Sequence, residues 1–550
     1  MNDVQLNQLG GPLTLLLLAL FFGSTLLVSL SISRRKENAD GYMTAGNKIG
    51  LGVSAASMTA TWIWAASMYA SATSGYTYGI SGPIHYGLWG ALMILFIYPY
   101  GQRIRAIAPR AHTLAEVMFA RHGRSSQLML AGSNILGSMI SLTSNFIAGG
   151  ALIAMLSPFS FSQGIAVIGG GVLLYTLWSG FRASVLTDFI QVCAMLSAVV
   201  IIIPAVFFAV GGASIFQSGA AHVTPQQGSF FSSDAFLNQG APYIAAVLAY
   251  AIGNQTIAQR LFAVREDLIK KTFVTATVGY GATIIGIGML GVVALYAGIT
   301  PMDGDPNNLI PQLAATYLGP VLLCVFFVMI IGALASTADS DLSALSSIMM
   351  ADIYGHATSG KRANPRTMLL IGRVTMVSAT AAALYFAGSR MNILDLLILV
   401  GAIWGALVFP VIASFYWEKV TNKAFTLSVL AALALFFPVR FGWIPMGGLT
   451  GYVFDVIAVL GIGIVAGLMT FGFLGLRTAR IVGVLAILVT APFAIGFLHN
   501  YAVLSSSLIA YSVSTIVCAA LSFRNKIPFN FALISERTGN FDSPQTHAAE

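Results

Sequence analysis

Apolar blocks of about 20 residues recur from one end of the chain to the other, each long enough to cross a bilayer, with short polar stretches between them. The pattern predicts about fifteen helical spans, from residues 10–32 to residues 502–522. Most are Leu/Ile/Val runs, but two are not. The second span, near 50–72, lies in "SAASMTATWIWAASMYASATSGYTYG" and mixes small, hydroxyl and aromatic side chains. The seventh, near 240–259, carries Gly253, Asn254 and Gln255 in mid-span. Unwound backbone at membrane depth is tolerated only where protein buries it or where it lines a cavity. Two interrupted spans in matching places of two halves therefore predict a shared binding site at the midplane, in preference to close packing of small residues alone.

A third departure is "STADSDLSALSS", residues 336–347, at the end of the ninth span. Wound as a helix, Ser336, Ser340, Ser343 and Ser347 share one face within roughly 60°, with Ala338, Leu342 and Leu345 opposite. Asp339 and Asp341 are two positions apart, about 160° around the axis, so they cannot work as one paired acid/base site. A single serine here is best read as bonding back to its own helix. So many hydroxyls with two intramembrane carboxylates point to an ion or solute path lined by oxygen, the ligand a hard monovalent cation takes.

Composition agrees with the pattern. Of 550 residues, 57% are hydrophobic and only 8% charged, with a mean hydropathy of +0.83. The fold class expected is an all-α polytopic membrane protein. The net charge of +8 changes the picture only through its placement. With the N-terminus outside and the C-terminus in the cytoplasm, the basic residues collect in cytoplasmic loops: Arg34, Arg35 and Lys36, then Arg103, Arg105 and Arg110, then Arg260, Arg265, Lys270 and Lys271. Of 27 Lys and Arg, Arg390 and Arg440 fall outside, the asymmetry of the positive-inside rule. No nucleic-acid partner is therefore expected from the charge.

The N-terminal segment lacks a basic stretch before its apolar run and is read as a retained first helix. Cys193, Cys324 and Cys518 all fall in expected spans and are read as small core residues, with no disulfide or transition-metal spacing. No Walker-type glycine loop occurs, so ATP is not the expected drive, and the stretch after about residue 524 is too short for an appended domain. Thr113 followed by Glu116 has capping-box spacing and predicts a short interfacial helix. The loops 212–239 and 299–318, rich in Gly, Ser, Pro and Asn, are read as outer lids.

Five motifs in order resemble the sodium:solute symporter family: "GYMTAGNKIGLG" (41–52), "SGFRASVLTDFIQ" (179–191), "GNQTIAQRLFAV" (253–264), "ASTADSDLSALSSIMMADIYG" (335–355) and "FYWEKVTNKAF" (415–425). Asn47-Lys48 departs from the Arg usual there. Within the family, "ATWIWAASMYASATSGYTYGISGPIHYG" (60–87) is most similar to the urea-transporter branch. The resemblance implies a five-plus-five inverted-repeat core with one helix before it and about four after. The units expected are 1–47, repeats 48–212 and 213–417, accessory helices 418–523 and a cytoplasmic tail 524–550. It implies a sodium site at Ala56 and Thr59 (carbonyls), Ala333 (carbonyl), Ser336 and Thr337 (hydroxyls). Asp188 matches an acidic residue on the ion's inward path, and Tyr250 an aromatic that closes the solute pocket. Asp341 has a counterpart in the urea branch and Asp339 has none; each is a candidate for a second cation, a donor group of the solute or a proton.

The expected solute contacts are Trp62, Tyr250, Asn254, Gln255 and Trp404. No Lys or Arg is expected at midplane, which favours a small neutral hydrogen-bonding solute over a carboxylate. The function expected is sodium-coupled symport, with urea as first solute and sodium as coupling ion without any cofactor. The alternatives are an amine, amino acid or short carboxylate as solute, proton coupling, a facilitative channel or a transporter-like sensor. The partners expected are a small polar solute, sodium and the lipid bilayer, in a cell inner (plasma) membrane.

Overall fold

The structure, a computed structural model, describes residues 6–33, 39–355 and 364–539. Arg34, Arg35 and Lys36 of the basic-loop expectation, and the tail beyond residue 539, lie outside the described residues. Within them the regular structure is helical apart from one parallel bridge between Ile49 and Val264. We number the main helices α1 (Gly11–Ser33), α2 (Leu51–Trp62), α3 (Ala65–Tyr78), α4 (Ser81–Ile107), α5 (Leu114–His122), α6 (Arg124–Leu156), α7 (Phe161–Val210) and α8 (Ala241–Gly253). The series continues with α9 (Gln255–Ala263), α10 (Ile269–Tyr296), α11 (Pro320–Ser347), α12 (Pro365–Ala387), α13 (Ile393–Tyr416), α14 (Asn422–Arg440), α15 (Gly448–Ala494) and α16 (Ala502–Phe523). Among the described residues, eleven helices are long and apolar enough to cross a membrane.

Two helical runs are longer than a bilayer allows. α7 has 50 residues, about 75 Å if straight, against a hydrocarbon core of about 30 Å. It does not run straight. The Tyr175 hydroxyl and Ser184 Oγ both reach the carboxylate of Asp339, at 3.0 and 2.6 Å, and Met195 comes back beside Gly332. The chain therefore reverses between Tyr175 and Ser184, which leaves two crossings where the sequence predicts 161–180 and 184–211. α15 has 47 residues and turns at Gly475 (φ 77°), a conformation suited to glycine. Its two arms pack antiparallel, and a Cβ on Gly463 would sit 2.7 Å from the Gly483 carbonyl oxygen.

The second and seventh expected spans are both broken. Ile63 and Trp64 leave helical geometry between α2 and α3, and Asn254 does so between α8 and α9. α3 then crosses α10 at a spacing that small residues permit: a Cβ on Gly291 would lie 1.8 Å from the Ala72 carbonyl oxygen. The polar helix α11 lies between α6, α7 and α12, with α2 and α9 against its serine face. Its residues 333–347 are all buried.

α5 lies at one end of the bundle and is not a span. Thr113 caps it, accepting from Glu116 N at 2.9 Å. The reciprocal arm of the expected capping box is absent; the Glu116 carboxylate instead accepts from His112 N and from Gly539 N, at 2.8 and 2.9 Å. The segment after α16 lies across the same end, with Arg121 stacked 4.0 Å over Phe529. At the other end the 212–239 loop docks on the end of α3, where Gly79 (φ 68°) passes Gln227 too closely for any Cβ. The cysteines differ from the expectation. Cys518 is buried and Cys324 half-buried, but Cys193 is exposed on the outer surface, because an apolar thiol suits the lipid side of a span as well as a core.

Candidate functional site

The serine face of α11 meets two half-helices. Toward α2 and α7, Ser336 Oγ donates to Asp188 in a short hydrogen bond. Ser340 Oγ lies 3.2 Å from Thr61 Oγ1 and 2.8 Å from the Arg260 guanidinium. Toward α9, Gln259 Nε2 donates to Ser343 and Ser347 at 3.3 and 2.9 Å, and to the Met43 carbonyl at 2.9 Å. The face expected from the sequence thus exists, but side chains of other helices hold its hydroxyls more than its own backbone does.

Arg260 corrects one expectation. The sequence placed it in a cytoplasmic loop. In the structure it is 4% exposed and pairs with the fully buried Asp188 at 2.9 Å. Its Nε also donates to Ser57 Oγ at 3.0 Å and Nη1 to the Thr256 carbonyl at 3.1 Å, and its guanidinium lies 5.3 Å from the Phe181 ring. The cause is the break at Asn254. The helix restarts there and runs on to Ala263, which carries Arg260 inward below α11, where a lone cation would be costly and Asp188 compensates it. Asp188 is therefore one half of a buried ion pair, which also accepts from Ser57 Oγ at 2.6 Å.

The two acids of α11 face different helices, as their spacing requires. Asp339 turns to α7, where Tyr175 and Ser184 donate to it. Asp341 turns to α6, where Ser141 Oγ donates at 2.5 Å. Among the described residues neither has a Lys, Arg or His within ion-pair distance.

Of the expected sodium ligands, Thr337 Oγ1 lies 3.2 Å from both the Ala333 and the Thr61 carbonyl oxygens. It is Thr61, two residues beyond Thr59, whose carbonyl meets α11. The Thr59 carbonyl accepts from Ile63 N at 2.9 Å, and its hydroxyl bonds back to Ala55 O at 2.8 Å. Ala56 lies on the same turn of α2 and is half-buried. The donors here are all oxygen, the chemistry a hard monovalent cation needs.

Three expected solute contacts come together. Trp62 lies edge-on to Tyr250 with centroids 6.0 Å apart, and Tyr250 edge-on to Trp404 at 5.0 Å. Trp64 and Tyr280, at 5.8 and 6.5 Å from Trp62, extend the group. The indoles of Trp62 and Trp404 donate to the carbonyls of Gly90 and Ser133, and the Tyr250 hydroxyl to that of Leu397, which fixes the rings. Asn254 and Gln255 are used otherwise. The Asn254 oxygen caps α9, accepting from Thr256 N and Oγ1 at 2.9 and 2.7 Å. Both ends of the Gln255 amide bind the start of α5, at His112 O and Leu114 N. An amide beside a helix restart serves the backbone's unpaired groups first.

Asn145 holds the first break from α6. Asn145 Oδ1 accepts from Ala66 N at 3.3 Å, one of the donors freed by the break after α2, and its amide donates to Ser141 O at 2.9 Å. Arg260 did have a signal: Gln255/Gln259 and Thr256/Arg260 are two polar pairs at i, i+4 directly after the break, the mark of a short amphipathic helix.

The sodium:solute symporter family profile matches residues 42–430. The chain belongs to the sodium:solute symporter family. Two relatives in this family show its range. The chain is 25% identical over 415 residues to the high-affinity proline transporter PutP of Bacillus subtilis, covering 72% of this chain and 86% of that one. It is 23% identical over 445 residues to the probable urea active transporter 1 of Schizosaccharomyces pombe, covering 74% of this chain and 66% of that one. A solved sodium-coupled sialic acid symporter, in a substrate-bound outward-open state, superposes with a TM-score of 0.62 at 18% identity, covering 86% of this chain and 96% of that one. The chain thus has a transporter fold of this symporter family and is a multi-pass integral membrane protein of the plasma membrane.

Proposed function

We propose that this symporter couples entry of a small polar neutral solute, urea first, to sodium by alternating access. The single observation that carries the reading is the meeting of two broken helices at one polar helix. Thr337 of α11 lies between the Thr61 carbonyl and its own Ala333 carbonyl, while the ring group Trp62–Tyr250–Trp404 spans both breaks. In this reading sodium is held by carbonyls of α2 (Ala56, Thr59) and by Ala333, Ser336 and Thr337 of α11, and the solute by Trp62, Tyr250 and Trp404. The repeats are 48–212 and 213–417, within about fifteen spans whose N-terminus is outside. The α5 end then faces the cytoplasm, and the Gln259–Met43 bond and the Ile49–Val264 bridge close that side. Arg260 does not favour a carboxylate solute, because its guanidinium is bound to Asp188, Ser57, Ser340 and Thr256. A cationic amine is the second reading, favoured by Asp341, which has no cation within ion-pair distance among the described residues.

The test is radiolabelled urea uptake into proteoliposomes with and without an inward sodium gradient, comparing wild type with Ser336→Ala/Thr337→Ala. Sodium-driven accumulation that the double variant loses is the expected result. Uptake driven by a proton gradient alone overturns the sodium assignment and keeps symport. No urea uptake under either gradient overturns the solute.

A further inference from the structure

Three carboxylates are buried around α11, and two have their needs met on the α7 side: Asp188 by Arg260, Asp339 by Tyr175 and Ser184. Asp341 is different. It is 2% exposed, it alone faces α6, and its partners there are hydroxyls, Ser141 at 2.5 Å with Ser138 one turn away also interacting. A carboxylate accepts at about four lone-pair sites, so two hydroxyls leave it under-supplied with donors.

The position of Asp341 in the bundle is set by its neighbours. Ser141 lies one turn from Gly137, against which the Trp404 ring packs, and one turn from Asn145, which holds the break at Ala66. Asp341 is therefore level with the aromatic group, between its Trp404 wall and the broken backbone. A second, independent observation lies on the same face of α6. The Ser144 hydroxyl, one turn from Ser141 and next to Asn145, is buried and without a hydrogen-bond partner. A buried hydroxyl with no protein partner is open to one from a ligand.

We propose that Asp341, with Ser141 of α6, is the part of the site that recognises N–H donors of the solute, whether an amide or an ammonium group. This rests on the reading of the aromatic group as the solute site. Asp341 supplies charge-assisted acceptors and sets specificity; the oxygens between α2 and α11 remain with the ion. A site built to receive N–H groups rejects an analogue that lacks them strongly, because its own polar groups are then left unpaired.

The experiment is sodium-driven uptake into proteoliposomes of two solute pairs: urea with tetramethylurea as the neutral arm, methylammonium with tetramethylammonium as the cationic arm. In the wild type, one N–H-bearing member is expected to exceed its methylated analogue in kcat/KM by about tenfold or more. Asp341→Asn, which keeps the shape and presents donors to donors, is expected to raise KM for that solute about tenfold and to bring the ratio toward one. The half-saturating sodium concentration should stay within about twofold, since only the solute contact is removed. Should Asp341→Asn not fold, Ser141→Ala carries the same readouts with a smaller shift. An unchanged ratio in folded, transporting variants overturns the inference alone, as does a loss of sodium affinity parallel to the loss of solute affinity. Absence of uptake of every probe by the wild type under a sodium or a proton gradient overturns the proposed solutes, and the inference with them.

Discussion

The two helix breaks do the same task with different means. Between α8 and α9 the break is self-contained: Asn254 leaves helical geometry and its own side chain caps the restart two residues later. Between α2 and α3 the chain supplies no such cap, as Trp64 has no side-chain bond to the backbone ahead. The freed Ala66 N–H is met by Asn145, 79 positions away on α6. One break is a local device and the other a tertiary one. The difference also sets what each half-helix delivers. α2 brings carbonyls and hydroxyls to α11, whereas α9 brings a full positive charge.

The largest effect is expected from removing that charge. Arg260→Ala leaves Asp188 buried and unpaired, which costs about 3–5 kcal/mol. Thermal unfolding in detergent should show a large loss, and Asp188→Ala added to Arg260→Ala should recover part of it. A double variant no more stable than Arg260→Ala would mean that the pair is not the reason Arg260 matters. Next comes the borrowed cap. Asn145→Ala orphans a buried N–H at a cost of about 1–3 kcal/mol. Faster amide exchange around residues 64–68, with residues 254–258 unaffected, would show that the two breaks are separately supported.

The local cap should matter less. Asn254→Ala is expected to cost about 0.5–2 kcal/mol, and Asn254→Ser or Asn254→Asp to restore most of it, since these side chains also cap. If Ser does not rescue, Asn254 is doing something other than capping. The smallest effect is at the anchor of α9. Gln255 ties α9 to the start of α5, whose Glu116 is fully buried. Burial opposes ionisation of Glu116, but His112 and the backbone N–H groups of His112 and Gly539 outweigh it and hold the carboxyl below its ordinary range. The folded state therefore binds this proton less readily than the unfolded chain does. The contribution is present above the unfolded pKa of about 4.3 and is lost as pH falls below it through the folded value. The melting-temperature advantage of wild type over Glu116→Gln should hold at neutral pH and shrink below about pH 4.

What was legible in the sequence was the local pattern. Both breaks, the serine stripe and the divergence of Asp339 from Asp341 follow from residue pattern, helical periodicity and the cost of unwound backbone in lipid, and the two crossings within α7 and within α15 fall where separate apolar blocks predict them. The site was legible in part. Trp62, Tyr250 and Trp404 meet, yet nothing local says that Gln255 binds α5 or that Thr61 supplies the carbonyl facing Thr337. Cys193 shows the limit in another way: an apolar residue in a span can face lipid or core, and hydrophobicity does not distinguish them.

The sequence by itself thus determined membrane residence, family and the places where helices must break, because each depends on residue type at a fixed spacing along one chain. Tertiary structure alone decided which polar group answers which. Arg260 is a loop residue until the restart at Asn254 turns it toward Asp188, and Asp341 differs from Asp339 only through the helix each one faces. The physical reason is that a buried charge is defined by its partners, and those partners lie tens to hundreds of residues away.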